Sequence, residues 1–190
     1  MKAEISDLTY SFLSECFRVD ERRGVLIWNE RPEKHFSSAL QCVGWNKIFA
    51  GKDAGWVKNG REVTKIRERQ FQTHRLIYAL WHRINLCDVP RILDHADGNP
   101  LNNRPSNLRE ASKFENAFNA PRYGHNTSGF KGVYFDKREG GWVATITAFK
   151  VKIYLGIYAT KAEAGAAYCG AARVIHKDFY RENQEPVAAA

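Results

Sequence analysis

The chain has 190 residues, 44% hydrophobic and 26% charged, and its 29 Lys and Arg against 21 Asp and Glu give a net charge of +8. This is globular composition, which excludes a mostly disordered chain, and no apolar run approaches the ~18 residues of a membrane-spanning helix. The positive excess lies mainly towards the two ends, as expected where an extended polyanion lies along a protein. Glu4, Ser6 and Asp7 stand where a secretory signal would be apolar, and Cys16, Cys42, Cys87 and Cys169 lie far apart without metal-pair spacing. The expectation is a soluble protein with free thiols in a reducing, cytoplasmic compartment and no membrane partner.

In chain order, residues 24–29 read as a short strand and residues 51–55 as a turn. Residues 61–73 are polar and strand-like. Leu76, Ile77, Leu80 and Trp81 then mark a helix that Thr73 would cap and that Asn85, Asp88 and Pro90 would end. Residues 91–95 read as a strand entering a loop, 97–105, crowded with turn formers, and residues 108–111 as a return strand. Ser112 and Glu115 form a capping box for a short helix that Pro121 and Gly124 would stop. After a break at 124–129, three strands are expected at 131–136, 142–148 and 151–158. A second capping box, Thr160 with Glu163, opens a helix running to about Ile175. Its inner stripe of Ala164, Ala167, Tyr168, Ala171 and Ile175 is small enough to lie close on a sheet.

The most demanding pattern is Asp94-His95 at a strand end, then Asn107, then Asn116. Phosphodiester hydrolysis needs a base for the attacking water and positive charge for the phosphate and leaving oxygen. Histidine is the side chain suited to that base near neutral pH, which singles out His95. Asp94 points to the opposite face of the strand and, with the Asn116 amide oxygen, makes a sparse oxygen-only cation site suited to Mg²⁺ or Mn²⁺. Asn119 is an alternative ligand. Together with Gly98-Asn99 and Asn107-Leu108-Arg109, the pattern resembles the HNH nucleases with a ββα-metal fold. It is most similar to the phage- and intron-encoded homing-type branch, in which the last His is replaced by Asn. The resemblance implies His95 and Asn107 as catalytic residues, with Asn107 tying the loop and orienting His95, and Asp94 and Asn116 on metal. Arg104 and Arg109 are assigned to DNA, whereas His74-Arg75 either contacts phosphate or packs the helix start.

Residues 127–183 carry Gly132-Val133, Trp142-Val143-Ala144-Thr145-Ile146 and Leu155-Gly156, and resemble the Apetala-two/ethylene-response-factor DNA-binding domain. That likeness implies a three-stranded sheet in the major groove with a bracing helix. It makes Lys131, Tyr134, Asp136, Thr145, Thr147, Lys152 and Tyr154 the reading face, with Lys137 and Arg138 on phosphate. Tyr134, Asp136, Thr147 and Tyr154 depart from the arginines and tryptophans of the plant domains.

The expected fold class is α+β, in three parts: a β-rich N-terminal region at 1–70, an HNH nuclease core at 71–120 and the DNA-reading domain at 127–183. The expected activity is metal-dependent cleavage of double-stranded DNA, nicking as a monomer or cutting both strands as a homodimer, in a phage-encoded, homing-type role inside a bacterial host. The alternative is a DNA-binding regulator with an inactive nuclease core.

Overall fold

A computed structural model describes residues 5–119 and 126–180, so Pro121, Gly124 and His125 of the expected break lie outside the described residues. The chain divides into two compact units, Met1–Glu110 and Ala111–Ala190. Each combines helices with small antiparallel sheets, and the class is α+β. Among the described residues no helix is long and apolar enough to cross a membrane.

The first unit opens with α1 (Tyr10–Cys16), whose first turn is closed by the Thr9 hydroxyl accepting from the Phe12 N–H. The helix leads into β1 (Phe17–Asp20), which pairs with β2 (Val25–Trp28). Next comes α2 (Ala39–Phe49), capped by Ser38. It buries only Cys42 and leaves Leu40, Val43 and Ile48 exposed, so its apolar residues carry no core-facing period for a sequence reading to find. Three antiparallel strands follow, β3 (Gly55–Lys58), β4 (Arg61–Ile66) and β5 (Arg69–Gln72), in that spatial order.

Strand β5 runs directly into α3 (Thr73–His82), and here the structure differs from the expected cap. Gln72 holds the N-cap position without a side-chain bond, while Thr73 is the first helical residue. Because Thr73 is buried at the strand-to-helix junction, its hydroxyl pairs with that of Thr64 on β4, 2.9 Å away, rather than with the helix end. The helix stops at Arg83, whose left-handed backbone turns the chain. Strands β6 (Leu93–His95) and β7 (Leu108–Glu110) complete the unit as an antiparallel pair.

Leu8, Leu13, Phe17, Leu26, Ile66, Leu76, Ile77 and Leu108 belong to one buried cluster. The residues read as an N-terminal region and those read as a nuclease core therefore share an interior.

In the second unit, α4 (Lys113–Asn119) starts with the reciprocal bonds of a capping box. The Ser112 N–H donates to Glu115 Oε2 at 2.7 Å, and the Glu115 N–H donates to Ser112 Oγ at 3.2 Å. Strands β8 (Val133–Asp136), β9 (Gly141–Ala148) and β10 (Val151–Tyr158) form an antiparallel sheet with β9 central. Helix α5 (Lys161–His176) opens on the Thr160–Glu163 box. Its Ala164, Tyr168 and Ala172 pack on Val133, Ala144 and Ile146 of the sheet, and the alanines allow the close approach.

Gly132 sets how β8 enters this sheet. Its φ of +71° is unfavourable for a residue with a side chain, and a Cβ there would run into the Thr145 carbonyl oxygen and the Tyr168 ring. Gly132→Ala is expected to destabilise the second unit by more than about 1 kcal/mol, the usual cost of the left-handed backbone alone. Amide hydrogen exchange is the check: protection should fall across β8–β10 and stay unchanged in β6 and β7.

Candidate active site around Asp94 and His95

The chain entering β6 is pinned before the strand begins. Arg75, on α3, donates from Nη1 to the Pro90 carbonyl at 2.9 Å and from Nη2 to the Val89 carbonyl at 3.1 Å. Burial lowers the pKa of this guanidinium, and its donors are turned inward. Of the two places expected for Arg75, the structure gives it the structural one.

Beyond β6, the loop of residues 96–107 is held by its own short polar side chains. Asp97 Oδ1 accepts from the Asn99 N–H at 2.8 Å and from Asn107 Nδ2 at 2.9 Å, and Asp97 Oδ2 accepts from Asn102 Nδ2 at 2.6 Å. The Asn107 amide returns the contact, its Oδ1 accepting the Asp97 N–H at 3.0 Å while Nδ2 also reaches the Asn102 carbonyl at 2.7 Å. The Ala96 N–H donates to the Asn107 carbonyl at 2.8 Å, which carries the β6–β7 ladder one step into the loop. Gly98, at φ +67°, makes the turn that lets its N–H reach the His95 carbonyl.

Asp94 and His95 sit side by side at the end of β6, both buried. Asp94 faces Arg109 across the strand pair, and the Arg109 Nε and Nη2 donate to its Oδ2 at 2.9 and 2.8 Å. The residue assigned to metal and one assigned to DNA are thus a partly buried ion pair in this structure. His95 Nε2 lies 3.0 Å from Asn103 Oδ1, and Asn103 Nδ2 donates to Glu62 Oε2 at 2.7 Å. The ring of His74 meets that of His95 edge to face at 5.1 Å. Arg104, exposed at the far side of the loop, donates from Nε to the Arg22 carbonyl.

Asp94, His95, Arg104, Asn107 and Arg109 are therefore in one unit, whereas Asn116 and Asn119 are on α4 of the other, Asn116 exposed and Asn119 buried. Glu62, Asp97 and Asn103 were not singled out from sequence as site residues, whereas His74 was expected either on phosphate or packing the helix start, and it is buried against His95. Asp97 and Asn103 fall inside the turn-forming loop, where the density of Asp and Asn is a signal. Glu62 lies far away in sequence on a polar strand and carries none.

On the second unit, the register pairs Thr145 with Tyr154 and Thr147 with Lys152, so these four share the sheet face opposite Ala144 and Ile146. Tyr134, Thr147, Lys152 and Tyr154 are exposed, and Lys152 Nζ stands 5.5 Å from the centroid of the Tyr134 ring. Three residues expected on DNA have other places. Thr145 is buried, with its hydroxyl 3.5 Å from the Gly132 carbonyl. Lys131 Nζ donates to the Ala117 and Phe118 carbonyls at the end of α4, at 3.2 and 3.0 Å. Asp136 Oδ1 accepts the N–H groups of Arg138 and Glu139, at 2.8 and 3.3 Å, and so builds the turn that leaves Lys137 and Arg138 exposed.

Comparison with known proteins places this site in context. The HNH endonuclease family matches residues 87–118. Over 88 residues the chain is 46% identical to Protein 3.8 of Escherichia phage T7, an alignment covering 45% of this chain and 72% of that protein. No solved structure matches the chain.

His74 links the site to stability. Burial, and then the charge of His95 beside it, push its imidazole down to about 3. The folded chain keeps this ring neutral, while the unfolded chain protonates it near ~6.5. Its contribution is intact above that value and is lost as the pH falls towards 3, by about 1.4 kcal/mol per pH unit. Urea unfolding between pH 7.5 and 5 should show this fall, and His74→Phe should flatten it.

Proposed function

Because the chain belongs to the family of Protein 3.8 of Escherichia phage T7 and carries an HNH endonuclease domain at residues 87–118, we propose that it is a DNA endonuclease that hydrolyses phosphodiester bonds with a divalent cation. The observation that carries this reading is His95, held at the end of β6 beside Asp94 by a loop whose Asp97 and Asn107 side chains bond to each other. A general base needs that kind of fixed geometry before its pKa matters.

In this mechanism His95 takes the proton of a water that attacks phosphorus in line with the departing 3′ oxygen, leaving a 5′ phosphate and a 3′ hydroxyl. Asn107 keeps the loop closed so that His95 does not drift from the attack line. The donor chemistry fits a hard cation: Asp94 presents a carboxylate that already holds a positive group, Arg109. Asp94 would hold Mg²⁺ or Mn²⁺, which when bound would neutralise charge on the phosphate and the leaving oxygen. The set without thiolate or imidazole disfavours zinc.

The second unit supplies the hold on duplex DNA in the manner of an Apetala-two/ethylene-response-factor domain. Tyr134, Thr147, Lys152 and Tyr154 form its exposed sheet face, and Lys137 and Arg138 stand in the turn for phosphate. A homing-type role in the cytoplasm of a phage host accords with this pairing of a cutting and a reading unit. One such site per chain nicks one strand, and two chains together cut both.

Supercoiled plasmid with Mg²⁺, against the same reaction with a chelator, tests the activity. His95→Ala should lose about 10²–10⁴-fold in rate with DNA affinity nearly unchanged, as for removal of a general base. If it retains more than about a tenth of wild-type activity at neutral pH, His95 is not the base. Asp94→Ala should shift the cation requirement, recovering partly at high Mn²⁺, and a normal Mg²⁺ titration removes Asp94 from the site. Lys137→Ala with Arg138→Ala should weaken DNA binding and lower its salt dependence by about one unit of log–log slope for each phosphate no longer neutralised. An unchanged slope takes this turn off the DNA.

A further inference from the structure

The side chains of Glu62, Asn103 and His95 form a hydrogen-bonded series that crosses from β4 into the catalytic loop. Asn103 is 1% exposed and His95 6%, so both are shielded from competing water. Glu62 is half-buried, and burial raises its pKa. Each link has a fixed direction. A carboxylate oxygen can only accept, so the Asn103 group at 2.7 Å from Glu62 must be the amide NH₂. The same amide then has only its oxygen to turn towards His95, at 3.0 Å, and an oxygen without hydrogen requires a donor opposite. Nε2 of His95 therefore carries the ring proton, and in the neutral imidazole the lone pair belongs to Nδ1.

We infer that Glu62 and Asn103 are positioning residues that fix the His95 tautomer, so that Nδ1 is the nitrogen that takes the proton from the attacking water. This rests on the reading of His95 as general base. Glu62 sets which way the Asn103 amide points, and Asn103 sets both the tautomer and the plane of the ring. A carboxylate on β4, outside the HNH match, thereby acts on the chemistry through a single amide. Two further interactions hold the relay in register: the Arg104 Nε donates to the Arg22 carbonyl, and Gly24 packs on the same segment, where a Cβ would meet the Arg104 nitrogen at 2.5 Å.

The test uses the full chain. The first measurement needs no variant: long-range ¹⁵N–¹H correlation of the His95 ring in the metal-free protein should show Nε2 protonated and Nδ1 unprotonated. A ring protonated at Nδ1 overturns the inference. The second compares Glu62→Ala and Glu62→Gln on supercoiled plasmid with Mg²⁺. Glu62→Ala leaves the amide free to reverse, so kcat should fall about 10–100-fold, the usual cost of losing an orienting partner, with KM for DNA within about twofold. The ¹⁵N spectrum should then show mixed tautomers. Glu62→Gln keeps an acceptor oxygen and should recover most of kcat and the single tautomer. Wild-type kcat and spectrum in Glu62→Ala, with His95→Ala inactive, defeat the relay while leaving the base assignment standing. Activity retained in His95→Ala defeats the base assignment itself, and the relay's catalytic role with it.

Discussion

The side chains of Asp97 and Asn107 close the connection between β6 and β7 from both ends, and the rest of the candidate site takes its shape from that closure. A strand pair of three residues each has too little ladder to fix a loop of this length. The loop compensates with side-chain bonds that stand in for backbone ones, as short Asp and Asn side chains do in turns. Burial pushes the Asp97 carboxyl up, yet it sits below its ordinary value because Asn102, Asn107 and the Asn99 N–H all donate to the charged form. The three bonds to this carboxylate are therefore charge-assisted and stronger than the neutral bonds that complete the loop.

This loop does not stand alone. Leu108 at its exit belongs to the same buried cluster as Leu8, Phe17 and Leu26, so the first hairpin and the strands of the candidate site share an interior. The loop's outer side is met by Gly24 and by the Arg22 carbonyl, its inner side by Glu62. Close backbone approach explains the glycine: any side chain at position 24 would have to displace the segment that carries Asn103. The N-terminal residues supply the rigid wall against which a polar loop is set.

Much of the second unit was legible in sequence because its elements announce themselves locally. Glu163 three residues after Thr160 marks the start of α5, and alternating residues along 142–148 separate the core-facing Ala144 and Ile146 from Thr145 and Thr147. The strand bearing Asp94 and His95 was legible for the same reason. Helix α2 was not, because its one buried residue, Cys42, leaves no period. Exposure within a face was also beyond the sequence, since alternation gives Thr145 the same side as Thr147 and Tyr154 but not its burial. Glu62 was illegible on different grounds: its bond to Asn103 spans 41 positions, and nothing in a polar strand marks one carboxylate for a distant amide.

Asp94 and Arg109 show why residue roles at such a site cannot be apportioned one at a time. Sequence assigns Asp94 to a cation and Arg109 to DNA, but the strand register sets them opposite each other and the structure pairs them. Removing Arg109 would leave a buried carboxylate without its internal counter-charge, a change that raises its demand for an external cation and weakens the strand pair at once. Removing Asp94 would release a guanidinium with a preference for the next available anion, which on a DNA-bound protein is phosphate. A loss of cleavage in either variant is therefore a property of the pair. The double variant is needed to separate them: if Asp94 and Arg109 act independently their effects add, and the shortfall from additivity measures their coupling.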